Sequence, residues 1–252
     1  MSSRLAVRKL GVAVNGSILL SGIDLSIDAG EWIGLIGPNG AGKTTLMRGA
    51  LGLLAASGGS TLAALPARDR ARAVAWLPQA REIAWPVTVE TLVALGRSPY
   101  LAGGRKLSDA DRAAVARALK QMGLADFARR DATALSGGEQ ARVLIARVLA
   151  QETPLIVADE PVAGLDPAHQ FSLMRVFSSL ATRGTSVLVS LHDLGLAARH
   201  CTRLVMIHRG QLVADGSPRE VLTPQKLRDV FQVSGRWDGD AFHVTDALED
   251  VA

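Results

Sequence analysis

Gly37-Pro-Asn-Gly-Ala-Gly-Lys-Thr44 constrains the fold more than any other stretch of this chain. The eight residues fit G-x-x-x-x-G-K-[ST], and the chemistry depends on the residue types. Glycines at Gly37, Gly40 and Gly42 let successive backbone N–H groups turn inward around phosphate oxygens, where a Cβ would clash. A helix starting at Lys43 aims its N-terminus at the same negative charge. Lys43 can reach the terminal phosphates, and the Thr44 hydroxyl can ligate Mg²⁺. Pro38, Asn39, Ala41 and Thr45 complete the loop. Chance matches to the pattern lack the right flanks. Here a short apolar strand, Glu31-Trp-Ile-Gly-Leu-Ile36, leads in and helical text over residues 43–51 leads out.

A phosphate loop of this kind needs an acidic strand beside it, and Leu155-Ile-Val-Ala-Asp159-Glu160-Pro161 supplies one. Asp159 would emerge next to the loop and hold Mg²⁺, and Glu160 is placed to polarise an attacking water. Two acids after an apolar strand are, by themselves, an ordinary loop start; the phosphate loop gives them a partner. The rest of the pattern is α/β. Residues 3–30 read as strands with turns at Asn15-Gly16 and residues 28–30. Residues 52–73 are turn-rich and yield no element, and 73–77 read as a strand. The pattern is helical from 87 to about 121, with Ser108 and Asp111 forming a capping box and Val115, Leu119 and Met122 on one face. Helices are expected at 139–150 and 167–182, the latter with Leu173, Val176, Phe177 and Leu180 in helical spacing. A strand at 186–191 and a hairpin across Arg209-Gly210 follow, then two short helices entered through Ser217-Pro218 and Thr223-Pro224. The expected architecture is a single domain over 1–252. Residues 1–86 and 151–252 make a nucleotide-binding core with a mainly parallel sheet and antiparallel N-terminal strands, and 87–150 make an inserted helical part.

Composition removes several other classes. At 252 residues with 48% hydrophobic and 21% charged residues, the chain is globular rather than disordered. A net charge of +4 is mild over this length and argues for no nucleic-acid partner. A single cysteine, Cys201, excludes an internal disulfide framework. No apolar run approaches the ~18 residues of a membrane span. Arg4, Arg8 and Lys9 ahead of apolar text imitate a signal peptide, but Asn15-Gly-Ser17 interrupts it.

Leu135-Ser-Gly-Gly-Glu139 narrows the subclass. A serine and two glycines opening a helix make a second anion-binding nest, and one fold has little use for two such sites unless a second copy shares them. With these motifs in place the chain resembles the ATP-binding cassette (ABC) ATPases along nearly its whole length. The match comprises the phosphate loop, Gln79, the 135–139 signature, Asp159-Glu160, Ala163-Gly-Leu-Asp166 and His192, in the family's order. The resemblance implies ATP and Mg²⁺ as cofactors and two copies packed head to tail. Each ATP would lie between one copy's loop and the other's Ser136, Gly137, Gly138 and Glu139. It implies catalytic roles for Glu160, His192 and Gln79, Mg²⁺ contacts from Thr44, Gln79 and Asp159, and a dimer-interface role for Asp166. Outside that context Gln79 is a surface turn residue, Asp166 a helix cap and His192 a polar loop residue.

Val87-Thr-Val-Glu-Thr-Leu-Val-Ala-Leu-Gly-Arg-Ser-Pro-Tyr100 is similar to the branch that imports iron chelates, haem and cobalamin, as are residues 192–199 and 214–222. The implied partners are integral-membrane permease subunits, with a substrate-binding protein involved indirectly, and the implied location is peripheral, on the cytoplasmic face of the inner membrane. The apolar stripe of residues 89–95 would serve either the core or the cleft that receives the permease. A zinc or manganese importer, an exporter and a soluble non-transport cassette are the alternatives. Three features depart from the family pattern. Val14 stands near the place of an adenine-stacking aromatic, which predicts weak affinity or loose base selectivity. The outer strands look trimmed to residues 57–62. Ala141 follows the signature where glutamine is usual. Ala158 is also a smaller residue than the usual aliphatic there.

Overall fold

The computed structural model describes residues 3–80, 82–101 and 106–248. The chain opens with a hairpin of β1 (Ser3–Val14) and β2 (Ser17–Asp28). Its turn uses Asn15 and Gly16, both at positive φ, as Asn-Gly hairpin turns require. β3 (Trp32–Ile36) is buried at every residue, and the glycine loop joins it to α1 (Lys43–Ala50). Next come β4 (Ser57–Ser60), α2 (Ala67–Ala73) and β5 (Val74–Leu77). The turn-rich stretch 52–73 therefore does contain regular structure. β4 is Ser-Gly-Gly-Ser, with no apolar alternation to announce it, and exists through its pairing with β1. α2 buries no side chain, so it carries no apolar stripe either.

The helical part begins at α3 (Val89–Ala94), whose Thr88 cap accepts from the Thr91 N–H, and continues as a 3₁₀ turn over Leu95–Tyr100. α4 (Asp109–Gln121) starts at the expected Ser108–Asp111 capping box, and α5 (Gly137–Ala150) at an equivalent one formed by Ser136 and Glu139. Val115, Leu119 and Met122 are buried on one face of α4 and its C-cap, as their spacing predicts. α5 packs against both α3 and α4. Of the 89–95 stripe, Val89, Leu92 and Val93 are core while Leu95 is exposed.

The chain then returns to the core with β6 (Leu155–Ala158), α6 (Pro167–Thr182), β7 (Ser186–Ser190), α7 (Leu194–His200), β8 (Arg203–His208) and β9 (Gln211–Gly216). Short helices Pro218–Val221 and Pro224–Lys226 follow, each with proline in its first turn. A last hairpin, β10 (Val233–Asp238) and β11 (Ala241–Ala247), was not expected, although its Gly239-Asp240 connection is a two-residue hairpin signal.

Six strands form the central sheet in the order β5-β6-β7-β3-β8-β9, parallel except for β9. A three-stranded antiparallel sheet, β2-β1-β4, lies beside it. One core joins this small sheet and α1 to one face of the large sheet, through Leu5, Ile23, Leu35, Leu46, Val157 and Leu188. The other joins the opposite face to the remaining helices, through Trp32, Ile156, Ala158, Phe177 and Val189. Alternate residues of β6 and β7 thus serve different cores, as the two-residue strand period dictates. That parity decides where the acids after β6 can point.

Candidate functional site

The phosphate loop is crowded on its sheet side. A Cβ on Gly37 would stand 2.2 Å from the Ile207 carbonyl oxygen, and one on Gly42, whose φ is +106°, would meet the Leu20 side chain at 2.7 Å. Only glycine fits either place. Lys43 is buried inside the loop, where its Nζ donates to the carbonyls of Gly37 at 2.7 Å and Pro38 at 3.1 Å. Burial lowers the Lys43 pKa, and the nearby Glu160 and Asp159 carboxylates oppose that shift. A cavity of about 370 Å³ opens above the loop, lined by Leu19, residues 39–45, Gln79 and Glu160.

β6 runs beside β5 and β7, with Ala158 opposite both Leu77 and Val189. Asp159 therefore follows Val157 onto the α1 face. It is fully buried, with Oδ2 accepting from the Thr44 hydroxyl and Oδ1 from the Ser190 hydroxyl, both at 2.6 Å. An unbroken strand would send Glu160 to the opposite face. Instead its φ is +49°, a left-handed conformation unusual for a residue with a side chain. Its N–H donates to Ser190 Oγ at 2.8 Å. The carboxylate then sits between two partners: Oε2 accepts from Gln79 Nε2 at 3.0 Å, and Oε1 lies 2.5 Å from His192 Nε2. The structure thus gathers Gln79, Glu160 and His192, from three separate parts of the sequence, at the mouth of the phosphate cavity.

Thr44 and Asp159 present adjacent oxygens, the donor type a hard divalent cation takes. Among the described residues no group of three or more His, Cys, Asp or Glu side chains could hold a metal. Two oxygens without a carboxylate cage suit Mg²⁺, which draws its remaining ligands from phosphate and water.

The other expected residues lie apart from this cavity. Ser136 and Glu139 form the capping box of α5: Ser136 Oγ donates to Glu139 Oε2 at 2.7 Å, and these bonds lower the Glu139 pKa. None of residues 136–139 lines the phosphate cavity, and Ser136 and Gly137 are exposed. Asp166 caps α6, accepting from the His169 N–H at 3.0 Å. Ala141 is buried in the core rather than exposed at the helix end, and Ala158 is fully buried beneath the site. Val14 is 40% exposed near the end of β1, and Ile18 and Leu19 on β2 are exposed beside it in the hairpin. The site residue missed by sequence reasoning is Ser190. Its signal was a serine ending an otherwise apolar buried strand, which obliges it to find partners.

A family model described as "ABC transporter" matches residues 20–163, from the first hairpin through the acidic pair. The chain belongs to the ABC transporter family. Among curated ABC proteins, the cobalamin import ATP-binding protein of Halobacterium salinarum is 41% identical over 234 residues, covering 90% of this chain and 58% of that protein. This chain therefore spans little more than half the length of that relative. The hemin import ATP-binding protein of Streptomyces coelicolor is 43% identical over 229 residues, covering 88% of this chain and 81% of that one. Among solved structures, a metal-chelate type ABC transporter in an inward-facing conformation superposes with a TM-score of 0.82 at 24% identity, covering 96% of both chains. At that identity the likeness concerns the ABC fold, and it agrees with the sheet order and helical part described above.

Proposed function

We infer that this chain binds and hydrolyses Mg·ATP and powers a membrane importer of a metal chelate of the haem, iron-siderophore or cobalamin kind. The observation that carries the reading is the Glu160 carboxylate, held between Gln79 and His192 directly over a Lys43-containing phosphate loop. The loop N–H groups and Lys43 hold the β- and γ-phosphates and balance their charge. Glu160 orients the attacking water and takes up its proton, while Gln79 and His192 fix the carboxylate's direction. Mg²⁺ held by Thr44 and Asp159 would neutralise charge on the phosphate oxygens. The names of the cobalamin and hemin relatives support the choice of cargo.

Two further parts of the reading concern partners. Ser136 and Gly137 are exposed, Gly138 is half-buried and none of the three lines the cavity, so the service of this nest to ATP requires a second copy, packed head to tail with Asp166 at the interface. No described helix is long and apolar enough to cross a membrane. The chain would then work against permease subunits, peripheral to the cytoplasmic face of the inner membrane, with a substrate-binding protein engaged through the permease. Trp85 and Leu95, in the stretch after Gln79 that would receive the permease, are exposed.

Nucleotide titration of the full chain tests this reading. Mg·ATP is expected to bind at low micromolar to millimolar concentration and Lys43→Ala to abolish detectable binding, whereas tight binding by Lys43→Ala would remove the loop from the site. The base is expected to be read loosely. Val14, Ile18 and Leu19 offer aliphatic surface, and base–aromatic stacking is worth about 1–3 kcal/mol where it exists. ATP and GTP should therefore bind within about threefold of each other, and Val14→Tyr should tighten both by roughly fivefold or more. A strong adenine preference in the unmodified chain would contradict the expectation.

A further inference from the structure

The catalytic carboxylate owes its position to a backbone conformation that its own residue does not favour, and one buried hydroxyl stands at the centre of what holds it there. Ser190 ends β7 with no exposed surface. Pleating places it on the α1 face with Leu188, next to the start of the turn that follows β6. Its hydroxyl hydrogen goes to Asp159 Oδ1 at 2.6 Å, and its oxygen accepts the Glu160 N–H at 2.8 Å. The two bonds agree in direction: a hydroxyl has one hydrogen to give and lone pairs to receive. One atom thus joins the carboxylate that shares Thr44 with the metal site to the peptide that launches Glu160. His192 lies two residues further along the same chain, so the end of β7 sets both the backbone of Glu160 and one partner of its carboxylate.

We propose that Ser190 is a positioning residue for hydrolysis: its hydroxyl fixes the left-handed backbone of Glu160 and so aims the Glu160 carboxylate at the attacking water. The inference rests on Glu160 having the role given above. Without the hydroxyl, the Glu160 N–H and the fully buried Asp159 Oδ1 each lose a partner. A left-handed non-glycine residue persists only while its surroundings over-determine it. The turn would relax toward an extended conformation, carrying the side chain away from Gln79 and His192. Nucleotide binding depends on the loop and Lys43, so it should survive.

The test uses the full chain with Mg·ATP and two readouts, steady-state hydrolysis and amide hydrogen exchange at Asp159 and Glu160. For Ser190→Ala we expect kcat to fall at least tenfold, KM to stay within threefold and the Glu160 amide to lose protection. Ser190→Thr and Ser190→Val form an isosteric pair that separates the hydroxyl from the volume it occupies: Thr should retain protection and most of kcat, Val neither. This pair also carries the test if the alanine variant does not fold. Wild-type kcat in Ser190→Ala, or equal kcat in the Thr and Val variants, overturns the proposal, as does unchanged protection at Glu160. Glu160→Gln is measured alongside. Full turnover by that variant removes the role of Glu160 and the reading beneath this one, whereas slow Glu160→Gln with fast Ser190→Ala removes Ser190 alone.

Discussion

Glu160→Gln is expected to bind ATP within about threefold of the unmodified chain and to hydrolyse it at least ~100-fold more slowly, since a positioned acid–base group contributes about 10²–10⁴ in rate. The substitution is nearly isosteric, which is why the two effects separate. In the native site the carboxylate only accepts, from Gln79 Nε2 at 3.0 Å and across the 2.5 Å contact with His192 Nε2. A glutamine has one accepting and one donating end, and Gln79 can rotate its own amide to receive the new donor. The side chain therefore stays in place while losing its capacity to take a proton. Residues 39–45, which line the cavity beside it, are untouched by the substitution. With hydrolysis stopped, ATP should accumulate between two copies, so gel filtration with Mg·ATP should show a dimer that disappears with ADP. Single-turnover measurement of phosphate release checks the rate directly. A variant that turns over at the native rate would mean that Glu160 neither accepts the proton nor aims the water.

Much of this site was legible because its elements announce themselves locally. α6 begins and ends where the sequence reading put it, since Asp166 caps it, Pro167 opens it and its apolar residues keep helical spacing. β6 was equally plain as four apolar residues ending in acid. Contact was less legible than presence. Gln79 is 81 residues from Glu160, and His192 is 32 residues beyond it, and nothing in either local pattern says that they meet. The parallel order β5-β6-β7 brings the three strand ends side by side, and strand order is a property of the whole sheet. The family resemblance named these residues, and the geometry showed what they touch. Ser190 escaped because its function resides in two hydrogen bonds to other segments. β4 lies within the trimmed outer strands that the resemblance put at 57–62, without an apolar pattern of its own, and is held by β1; α2 escaped because it carries no apolar stripe and is held through Arg68 and Arg72, which donate to the Pro99 carbonyl. The 89–95 stripe shows the opposite limit. Its spacing was clear, but core and docking surface share that spacing, and only burial separated Leu92 from Leu95.

Arg97→Met is expected to destabilise the fold by about 3 kcal/mol, the lower end of what breaking a buried ion pair costs. Arg97 follows Gly96, where a Cβ would stand 2.2 Å from the Arg147 carbonyl oxygen, so the 3₁₀ turn lies hard against α5. From there the guanidinium reaches Asp111 of α4 through Nε at 2.8 Å. Its Nη1 donates to the Ala150 carbonyl at 2.8 Å and lies 3.3 Å from Glu152. Its flat face covers the Tyr100 ring at 4.1 Å. One side chain thus ties the turn before α4, the start of α4 and the end of α5. Methionine would fill the volume but leave Asp111 charged and short of a partner, and Glu152 is half-exposed enough to recover its hydration, which favours the lower figure. For a chain of this size the loss corresponds to roughly 2–4 °C of melting temperature per kcal/mol. Replacing both members, Arg97→Met with Asp111→Leu, should recover part of the loss, because no charge is then stranded. Acid provides a second check with a definite sign. Hydrogen bonds from Ser108, then the Arg97 contact, hold the Asp111 pKa at about 2, below its ordinary 3.8. A lowered carboxylate pKa contributes stability that is complete above the unfolded value and lost as pH falls toward the folded one. The native chain should therefore lose an increment of stability between about pH 4 and pH 2 that Asp111→Asn, already lacking it, does not. Urea unfolding at stepped pH measures the difference. Parallel acid profiles for the two proteins would show that Asp111 is solvated and that the helical part is held by its apolar contacts alone.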